Sequence, residues 1–526
     1  MKTKIKGVLG ADLRSLGLLR IGVASVILID LCQRASDLEA HYSDFGVVPR
    51  ELAIENLSSR WFWSIHFLSG VWQVEAVLFV VAGIFATALL VGYRTRIATI
   101  VSWALVVSLD VRNFHVVAGG DLLLRAVLFW SMFLPWGACF SVDAKASVGH
   151  DIPKYVVSAG TSGFTVQILL LYWFSVLSKS GNEWWREGSA VYYALSIDYV
   201  VTPLGHELLK LPPAMLQLAT WSVLGYEILG PALLLFPWWI GILRTLTVAG
   251  FVTLHLTILS TLLIGIFPLI AIASMLFFLP PWFWDSLLPP IAAAVRRRMK
   301  LTAFSAVAAP ISIARRALFL AIKFAGIEDG RRRSTLLPLS KPCSALAVAL
   351  TIYIIVWNIA NLPYSPFKLS EQLRSIGNLV GLDQKWEMFA PFPAKDDGWY
   401  VIPARLKNGT RVDLYTGRAV DWIKPKYISL TIKNHRWRKY FEVLRQRPFL
   451  VPGYAAYLCR DWNRRHLANE AVEDLDIVFM VEWTRPNFAY FEPQELNLGH
   501  YHCAAGQFRQ EEKKGLARST GQAPFS

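Results

Sequence analysis

Residues 240–285 read IGILRTLTVAGFVTLHLTILSTLLIGIFPLIAIASMLFFLPPWFWD, and they indicate the kind of fold that the chain adopts. The stretch holds two apolar runs, 240–262 and 264–285, which nearly touch at Gly265. Each run is near the roughly 20 residues that an α-helix needs to cross the hydrocarbon core of a bilayer. The pair therefore predicts two adjacent membrane-spanning helices, and similar runs recur along the chain.

The composition of the whole chain points to the same lipid environment. Of 526 residues, 54% are hydrophobic and only 17% are charged, which is too apolar for an ordinary soluble protein. The 21 tryptophans agree with this interpretation, because indole rings collect where hydrocarbon meets lipid headgroups. The formal charge of +15 does not indicate a nucleic-acid partner, since the basic residues cluster beside apolar runs.

Nine apolar runs predict a polytopic α-helical membrane protein with about nine transmembrane helices. They cover residues 16–34, 72–92, 97–114, 120–139, 157–179, 213–236, 240–262, 264–285 and 342–361. We assign residues 1–362 to this transmembrane domain. The third run is short and the seventh and eighth nearly merge, so the pattern defines the number of crossings only to within one or two.

Clusters of Lys and Arg predict the orientation, because basic residues are concentrated in cytoplasmic loops. Four clusters fall on one side of a nine-span arrangement: the N-terminus, residues 94–96, residues 145–154 and the long loop 286–340. The N-terminus has no small-residue cleavage site after its apolar stretch, so we expect an uncleaved first span. Within the long loop, residues 311–327 are amphipathic and could lie on the membrane surface. We expect an integral membrane protein with a cytoplasmic N-terminus.

An odd number of spans places residues 363–526 on the opposite, periplasmic or lumenal side, and we predict an α+β fold for this domain. The run WYVIPARLKNGTRVDLYTG has two alternating segments around an Asn408-Gly409 turn, which is a strong hairpin signal. The run DIVFMVEWT repeats the alternation, whereas residues 436–466 have helical spacing. Cys459 and Cys503 are the two cysteines of this domain, and we predict that they form a disulfide.

Ionisable residues within apolar runs are candidates for function, because they are costly in hydrocarbon and usually face a partner or a cavity. Glu227 lies mid-span, where a packing role and a functional role are equally supported. His255 is alone on an apolar face, and such a histidine is more often structural than catalytic. For Asp121 and Arg125, near a span end, mutual pairing or snorkelling is the simpler explanation.

Lys179 allows two opposed interpretations. It ends the fifth run in KSGNEWWREG, and lysines at such interfaces are mostly membrane anchors. Trp184 and Trp185, however, could supply apolar walls that desolvate the ammonium and favour its uncharged, basic form. We predict the second role, a functional base.

The order of several stretches resembles the vitamin K-dependent γ-carboxylases and their bacterial relatives, the horizontally transferred transmembrane (HTTM) domain family. The likeness is carried by DLCQRASDLEAHYSDFGVVPR, VRNFHVVAGGDLLLR, KSGNEWWREG, Glu227, LHLTILSTLLIGIFPLIAIAS and, in the tail, LDQKWEMFAPFP, DDGWY, KYFEVL and YLCRDWNRRH. The carboxylase pattern has a small residue where Asn182 stands, but the spacing from Lys179 to Trp185 and Gly188 agrees with it.

The resemblance implies that Lys179 is a catalytic base and His255 a second catalytic group. It implies a substrate or quinone pocket shaped by Glu227, Asp121, Arg125, Trp184 and Trp185. The co-substrates implied are a reduced naphthoquinone, which is vitamin K hydroquinone or menaquinol, together with oxygen and carbon dioxide. No metal is implied.

Two functions follow from these features. The first is a quinol-dependent enzyme, a carbon–carbon lyase or quinol epoxidase, that couples hydroquinone oxygenation to carboxylation or a related modification of a peptide or small substrate. The second is a non-catalytic membrane protein that binds a lipid or hydrophobic peptide and assists its export or maturation. A lysine with a perturbed pKa in a closed apolar pocket would favour the enzyme, and an exposed lysine with an ordinary pKa would favour the binding protein. A transporter would require Glu227 and His255 to relay protons.

Overall fold

The computed structural model describes residues 7–146, 154–291, 339–485 and 492–503. Helix forms at all nine places where the apolar runs predict it. These helices are α1 (Leu13–Ala35), α2 (Trp72–Val91), α3 (Thr95–Arg112), α4 (Gly119–Ser131), α5 (Ala159–Ser178), α6 (Pro213–Leu234), α7 (Ile240–Thr261), α8 (Phe267–Met275) and α9 (Lys341–Ala360).

Within the described residues, five helices are long and apolar enough to cross a membrane, namely α1, α2, α5, α7 and α9. The bent pair Phe267–Phe278 and Phe283–Ile291 can supply a sixth crossing. The chain is therefore an integral membrane protein, but the predicted count of nine spans is not confirmed. Helix α4 illustrates the difference, because its 13 residues fall short of the roughly 20 that a crossing needs.

Helix α1 lies at the centre of the bundle, where it packs against α2 and α8. Leu16, Leu19 and Val23 on α1 are completely buried. A Cβ added at Gly22 would come 3.1 Å from the Cβ of Ala273 on α8, so the absence of a side chain lets these two helices approach closely. Small residues at helix contacts thus hold the centre of the bundle together.

Helix α2 presents one face to the outside of the bundle. Val77, Val80 and Ile84 on this face are each more than half exposed, which is the pattern of a helix that borders lipid. The basic loop 286–340 is described only at its two ends, and its amphipathic part, residues 311–327, lies outside the described residues.

Short helices fill the two segments that follow α1 and α5. They are Leu38–Tyr42, Arg50–Glu55, Asn182–Trp185, Ala190–Leu195 and Pro203–Leu208. A further short helix, Val142–Ala146, follows α4. Strand β1 (Ala11–Asp12), before α1, pairs with strand β2 (Tyr155–Val156), before α5. These pieces connect the long helices and shape the ends of the bundle.

The C-terminal region has the predicted α+β fold. Its helices are α10 (Glu371–Val380), α11 (His435–Gln446) and α12 (Val451–Arg465), and its strands are β3 (Asp396–Val401), β4 (Pro403–Leu406), β5 (Arg411–Asp413), β6 (Val472–Trp483) and β7 (Gln494–His502). The antiparallel sheet has the order β3-β6-β4-β5, and β7 also pairs with β6. The predicted hairpin joins β4 to β5, and Gly409 in its turn has φ +84°, a conformation that favours glycine.

The sheet and its helices share a hydrophobic core with the segment after α1. Val47, Val48 and Ala53 from that segment are buried in one cluster with Tyr440 and Tyr454 from α11 and α12. The C-terminal region therefore rests on part of the transmembrane region. The boundary at residue 362 stays a prediction.

The predicted disulfide is confirmed. Cys459 in the middle of α12 and Cys503 after β7 are bonded, with their Cα atoms 5.9 Å apart. A bridge across a loop of this length stabilises the folded state by roughly 4 kcal/mol in the chain-entropy model. It ties the last described strand to the helix that packs beneath the sheet.

Candidate active site around Lys179

Lys179 is the residue at which α5 ends. Its backbone N–H donates to the carbonyl of Val176 and its φ and ψ of −83° and 87° leave the helical region. The residue is only 3% exposed. A snorkelling anchor would keep its ammonium in water or among headgroups, so this burial contradicts the anchor interpretation.

The partner of Lys179 is Glu227 on α6. The ammonium donates to Glu227 Oε2 in a buried ion pair and to Ser175 Oγ at 3.1 Å. Ser175 lies one turn before Lys179, on the same face of α5. Since each charge is expensive to desolvate alone, the two side chains stabilise one another only as a pair.

Trp184 forms the apolar wall over the ammonium. Its ring centroid lies 4.5 Å from Lys179 Nζ, within the range of a cation–π contact. Trp185 has a different position: its side chain is 49% exposed, and its indole N–H donates to the Lys179 carbonyl at 2.6 Å. The structure thus describes a ring contact with the ammonium for Trp184, whereas a wall formed by Trp185 stays a prediction.

A segment from beyond the transmembrane helices, residues 382–393, covers this site. The Trp184 indole donates to the carbonyl of Phe389 at 3.0 Å, and the Gly181 N–H donates to the carbonyl of Pro391 at 3.0 Å. Just after the segment, Lys395 forms a 2.5 Å ion pair with Glu183. These contacts hold Trp184 in place over Lys179.

His255 occupies a second polar position on the same side of α5. Its Nε2 lies 2.8 Å from the hydroxyl of Tyr172, and its Nδ1 is buried with no hydrogen-bond partner among the described residues. Tyr172 precedes Lys179 by seven residues, which is two helical turns or about 10 Å. His255 therefore does not contact the Lys179–Glu227 pair but lies along the same face.

The loop before α8 lies between His255 and a second histidine, His435, and contacts both. Phe267, the first residue of α8, has its ring centroid 5.7 Å from that of His255. Two residues earlier, a Cβ on Gly265 would come 2.5 Å from the ring of His435, which belongs to α11. Burial lowers the pKa of His435 to about 3, so its imidazole is neutral.

The match to known families covers most of these residues. The HTTM domain matches residues 10–283, slightly more than half of the chain, and this range includes Lys179, Glu227 and His255. The chain belongs to the HTTM domain family. It is thus a membrane protein related to the vitamin K-dependent carboxylases. No curated protein and no solved structure matches the chain.

Within the HTTM domain, Asp121 and Arg125 lie in a different cluster. Asp121 accepts hydrogen bonds from Arg34 at 2.8 Å and from Arg436 at 2.6 Å. Arg125 lies 3.7 Å from Asp110 in an ion pair. No described contact joins Asp121 or Arg125 to Lys179, and the ion pairs described for these two residues are with other residues rather than with each other.

Arg436, from the C-terminal region, belongs to the same cluster as Asp121 and Arg125. It is only 1% exposed and also contacts Asp30 at 2.5 Å. The cluster is built from the carboxylates of Asp30, Asp110 and Asp121 and the guanidinium groups of Arg34, Arg125 and Arg436. Among the described residues, no group of three or more His, Cys, Asp and Glu side chains could hold a metal ion.

Two parts of this arrangement had no sequence signal that pointed to their role. The 382–393 segment follows the matched HTTM range, and its likeness to the tails of bacterial members carried no information about what it contacts. Arg436 lies among many tail arginines that have the same local appearance. In both cases the contact joins residues that are more than 200 positions apart.

Proposed function

We propose that this protein is an integral-membrane quinol-dependent enzyme, similar to the vitamin K-dependent γ-carboxylases. It would couple oxygenation of a reduced naphthoquinone to carboxylation or a related modification of a peptide or small substrate. The observation that carries the proposal is the buried Lys179–Glu227 pair beneath Trp184. A lysine that served only as a membrane anchor would not need a buried carboxylate partner.

The pair can hold and move one proton. In an apolar site the ion pair and the neutral pair of amine and carboxylic acid are much closer in free energy than they are in water, because burial penalises both charges. When the proton is on Glu227, the Lys179 amine can accept another from an acidic hydroxyl. The site then passes from neutral to a single positive charge, which the Trp184 ring stabilises.

A reduced naphthoquinone fits the groups that the site provides. It is a flat apolar ring with two acidic hydroxyls, and when bound it supplies the electrons for oxygen chemistry. The Trp184 ring offers an apolar face, and the unpartnered Nδ1 of His255 offers a hydrogen-bonding atom on the same side of α5. Lys179 and Glu227 are buried, and the 382–393 segment holds Trp184 over them, an arrangement that suits a strongly basic reaction, which requires the exclusion of water.

The test compares Lys179→Arg with the wild type, using reduced menadione as quinol. We expect enzyme-dependent oxygen uptake, followed with an electrode, and product formation, followed by mass spectrometry, to fall at least 100-fold, because guanidinium cannot accept a proton. Lys210→Arg is the matched control, since Lys210 is exposed and paired with Glu207. Near-normal turnover by Lys179→Arg would show that the base assignment is wrong.

A binding protein is the second candidate, and one observation favours it. A depression of about 400 Å³ is lined by aromatic side chains, including Tyr199 from the HTTM domain and Trp399, Tyr400 and Phe441 from the C-terminal region. Such a surface suits an apolar peptide. Mass spectrometry of molecules that copurify with the full-length protein separates the candidates: a bound quinone supports the enzyme, and a bound peptide without quinone supports the binding protein.

We propose that the N-terminus is cytoplasmic and that Lys179 and the C-terminal region face the periplasm of a bacterial inner membrane. The four basic clusters support this orientation. The test places one free cysteine at the exposed position Ser180 or Asn408, in a background in which the free cysteines Cys32, Cys139 and Cys343 are replaced by Ser, and labels intact cells with a membrane-impermeant thiol reagent. We expect both positions to react. Protection of both until the cells are lysed would reverse the orientation.

A further inference from the structure

Residues 200–202 are fixed to the end of α7. The carbonyl of Val200 accepts from the N–H of Leu263 at 2.7 Å, and the N–H of Thr202 donates to the carbonyl of Thr261, where α7 ends, at 2.9 Å. Helix α7 is one of the five helices that can cross the membrane, and its 22 residues give it a length of about 33 Å, close to the thickness of the hydrocarbon core. This end of α7, and residues 200–202 with it, therefore lie at the bilayer surface.

The loop 420–430 of the C-terminal region, between β5 and α11, is held at the same level. The hydroxyl of Ser429 donates to the carbonyl of Val201 at 2.5 Å. The ring centroid of Tyr427 lies 5.4 Å from that of His206, on the short helix that follows residues 200–202. These contacts place the loop at the bilayer surface.

The loop 420–430 turns large apolar side chains outward. Trp422, Ile423 and Leu430 are 40%, 77% and 61% exposed, and Leu204 on the neighbouring short helix is half-exposed. Ile428 of the same loop is buried against the sheet, so the outward side chains belong to a loop that is held in place. Neighbouring apolar side chains that face outward in this way are typical of an interaction surface.

A positive charge accompanies these apolar side chains. Lys426 is exposed, and its ammonium lies 5.2 Å from the ring centroid of Tyr427. The pKa of Glu207 is lowered by Lys210, which donates to it, and also by Lys426, so Lys426 lies close to the short helix. Tryptophan, aliphatic side chains and a lysine are the residues that bind the layer where hydrocarbon meets headgroups.

We propose that the loop 420–430 and the helix Pro203–Leu208 form a membrane anchor, which binds the headgroup layer of the bilayer that surrounds the HTTM domain. Trp422 and Ile423 insert among the headgroups, and Lys426 binds the phosphate of an anionic phospholipid. Lipid is the partner that fits this surface, because the bilayer already lies at the level to which the contacts with α7 fix the loop. The anchor attaches the C-terminal region to the membrane independently of the aspartate and arginine cluster around Arg436.

The experiment uses the full-length protein in lipid nanodiscs, with one free cysteine that carries the environment-sensitive fluorophore NBD. The cysteine is introduced as Ile423→Cys or, for the control, as Asn408→Cys, in a background in which Ser replaces Cys32, Cys139 and Cys343. Asn408 is also exposed, but its neighbours Lys407 and Thr410 are exposed and polar. Lipids with a doxyl group near the headgroup act as quenchers. We expect them to quench the label at 423 and to leave the label at 408 unquenched.

Variants test the assigned side chains. Trp422→Ser should reduce quenching of the label at 423. In nanodiscs that contain phosphatidylglycerol, Lys426→Gln should lower the ratio of inserted to free label about fivefold, because each lysine near an anionic surface contributes attraction of this size. Lys407→Gln is the matched control, since Lys407 is an exposed lysine of the polar hairpin turn.

Two results would overturn the proposal. One is a label at 423 that is quenched no more than the label at 408, which would favour a protein partner at this surface. The other is quenching at 423 that neither Trp422→Ser nor Lys426→Gln changes.

Discussion

At the scale of single residues, the Lys179–Glu227 pair combines two roles that are usually hard to separate. It joins α5 to α6 as a buried ion pair, and it is the proposed proton acceptor. Replacing both members of such a pair by apolar residues of similar size is often neutral or stabilising, whereas removing one member is strongly destabilising. This asymmetry allows the structural role and the chemical role to be tested independently.

We predict that Glu227→Ala lowers the free energy of unfolding by about 3–5 kcal/mol, because it leaves a buried ammonium without a partner. The double variant Lys179→Met/Glu227→Leu should recover most of this loss and still lack turnover. Thermal unfolding in detergent, followed by tryptophan fluorescence, measures the first effect, and the oxygen-uptake assay measures the second. A double variant as unstable as Glu227→Ala would contradict this account.

Lys179 and Glu227 could both be identified as candidate functional residues from the sequence, but the contact between them could not be predicted. Lys179 and Glu227 are each conspicuous because a charge in an apolar run needs an explanation. They are 48 positions apart on different helices, and the helical repeat gives no information about how two helices are rotated against each other. The same gap applies to the two tryptophans, because their spacing does not identify which indole contacts the ammonium.

At the scale of elements, α11 acts as the connection between the C-terminal region and the transmembrane helices. At the N-terminus of α11, His435 lies against Gly265. The next residue, Arg436, pairs with Asp30 and Asp121, which belong to the buried cluster of aspartates and arginines, here called the aspartate cluster. Asn434 caps the helix by accepting from the N–H groups of Arg436 and Trp437. One short amphipathic helix thus reaches both polar regions of the bundle.

We predict that Arg436→Met destabilises the protein by about 3–5 kcal/mol, because Asp30 and Asp121 lose a buried cation. Arg464→Met is the control, since Arg464 is half-exposed and its surface ion pairs contribute about 0–1 kcal/mol. Limited proteolysis of the membrane-embedded protein should release the C-terminal region of Arg436→Met first. Equal proteolysis rates for the two variants would show that α11 does not hold the region in place.

The helices themselves were largely predictable, because each of the nine apolar runs was long enough to predict a helix. Which of these helices cross the membrane was less predictable. The apolar run 120–139, for example, continues past Ser131, where α4 ends. The hairpin between β4 and β5 was predictable from Asn408-Gly409, because only a few residue types tolerate that turn. The position of the 382–393 segment was not predictable, because no feature of the local sequence determines which residues it contacts.

At the scale of the whole molecule, a buried cluster of charges lies between the HTTM domain and the sheet. The backbone N–H of Asp198 donates to Asp397 on β3, and Lys424 forms ion pairs with Asp198 and with Glu482. His206 lies 3.4 Å from Asp198. Burial and the nearby Asp198 carboxylate raise the pKa of Asp397 to about 8.

This shift predicts a pH dependence with a definite sign. Between the ordinary pKa of an aspartate, about 4, and about 8, the folded protein binds a proton at Asp397 that the unfolded chain does not. Stability therefore falls as pH rises through this window, by up to about 1.4 kcal/mol per pH unit, and levels off above it. Asp397→Asn should remove this part of the dependence.

The measurement is the unfolding temperature in detergent at pH 5.5, 7 and 8.5. We expect a smaller decrease with pH for Asp397→Asn than for the wild type, and a higher unfolding temperature for the variant at pH 8.5. Asp421→Asn serves as the control because Asp421 is exposed. An identical pH profile for wild type and Asp397→Asn would contradict the protonated state of Asp397 in the fold.

The aspartate cluster has a consequence for how the protein is made. Arg436 is synthesised 406 residues after Asp30, and at 5–20 residues per second this separation takes about 20 to 80 s. During that interval Arg34 is the one cation of the cluster that is bonded to Asp30 and Asp121. The arrival of α11 supplies their second guanidinium group, so this part of the transmembrane region is completed only after α11 has been made.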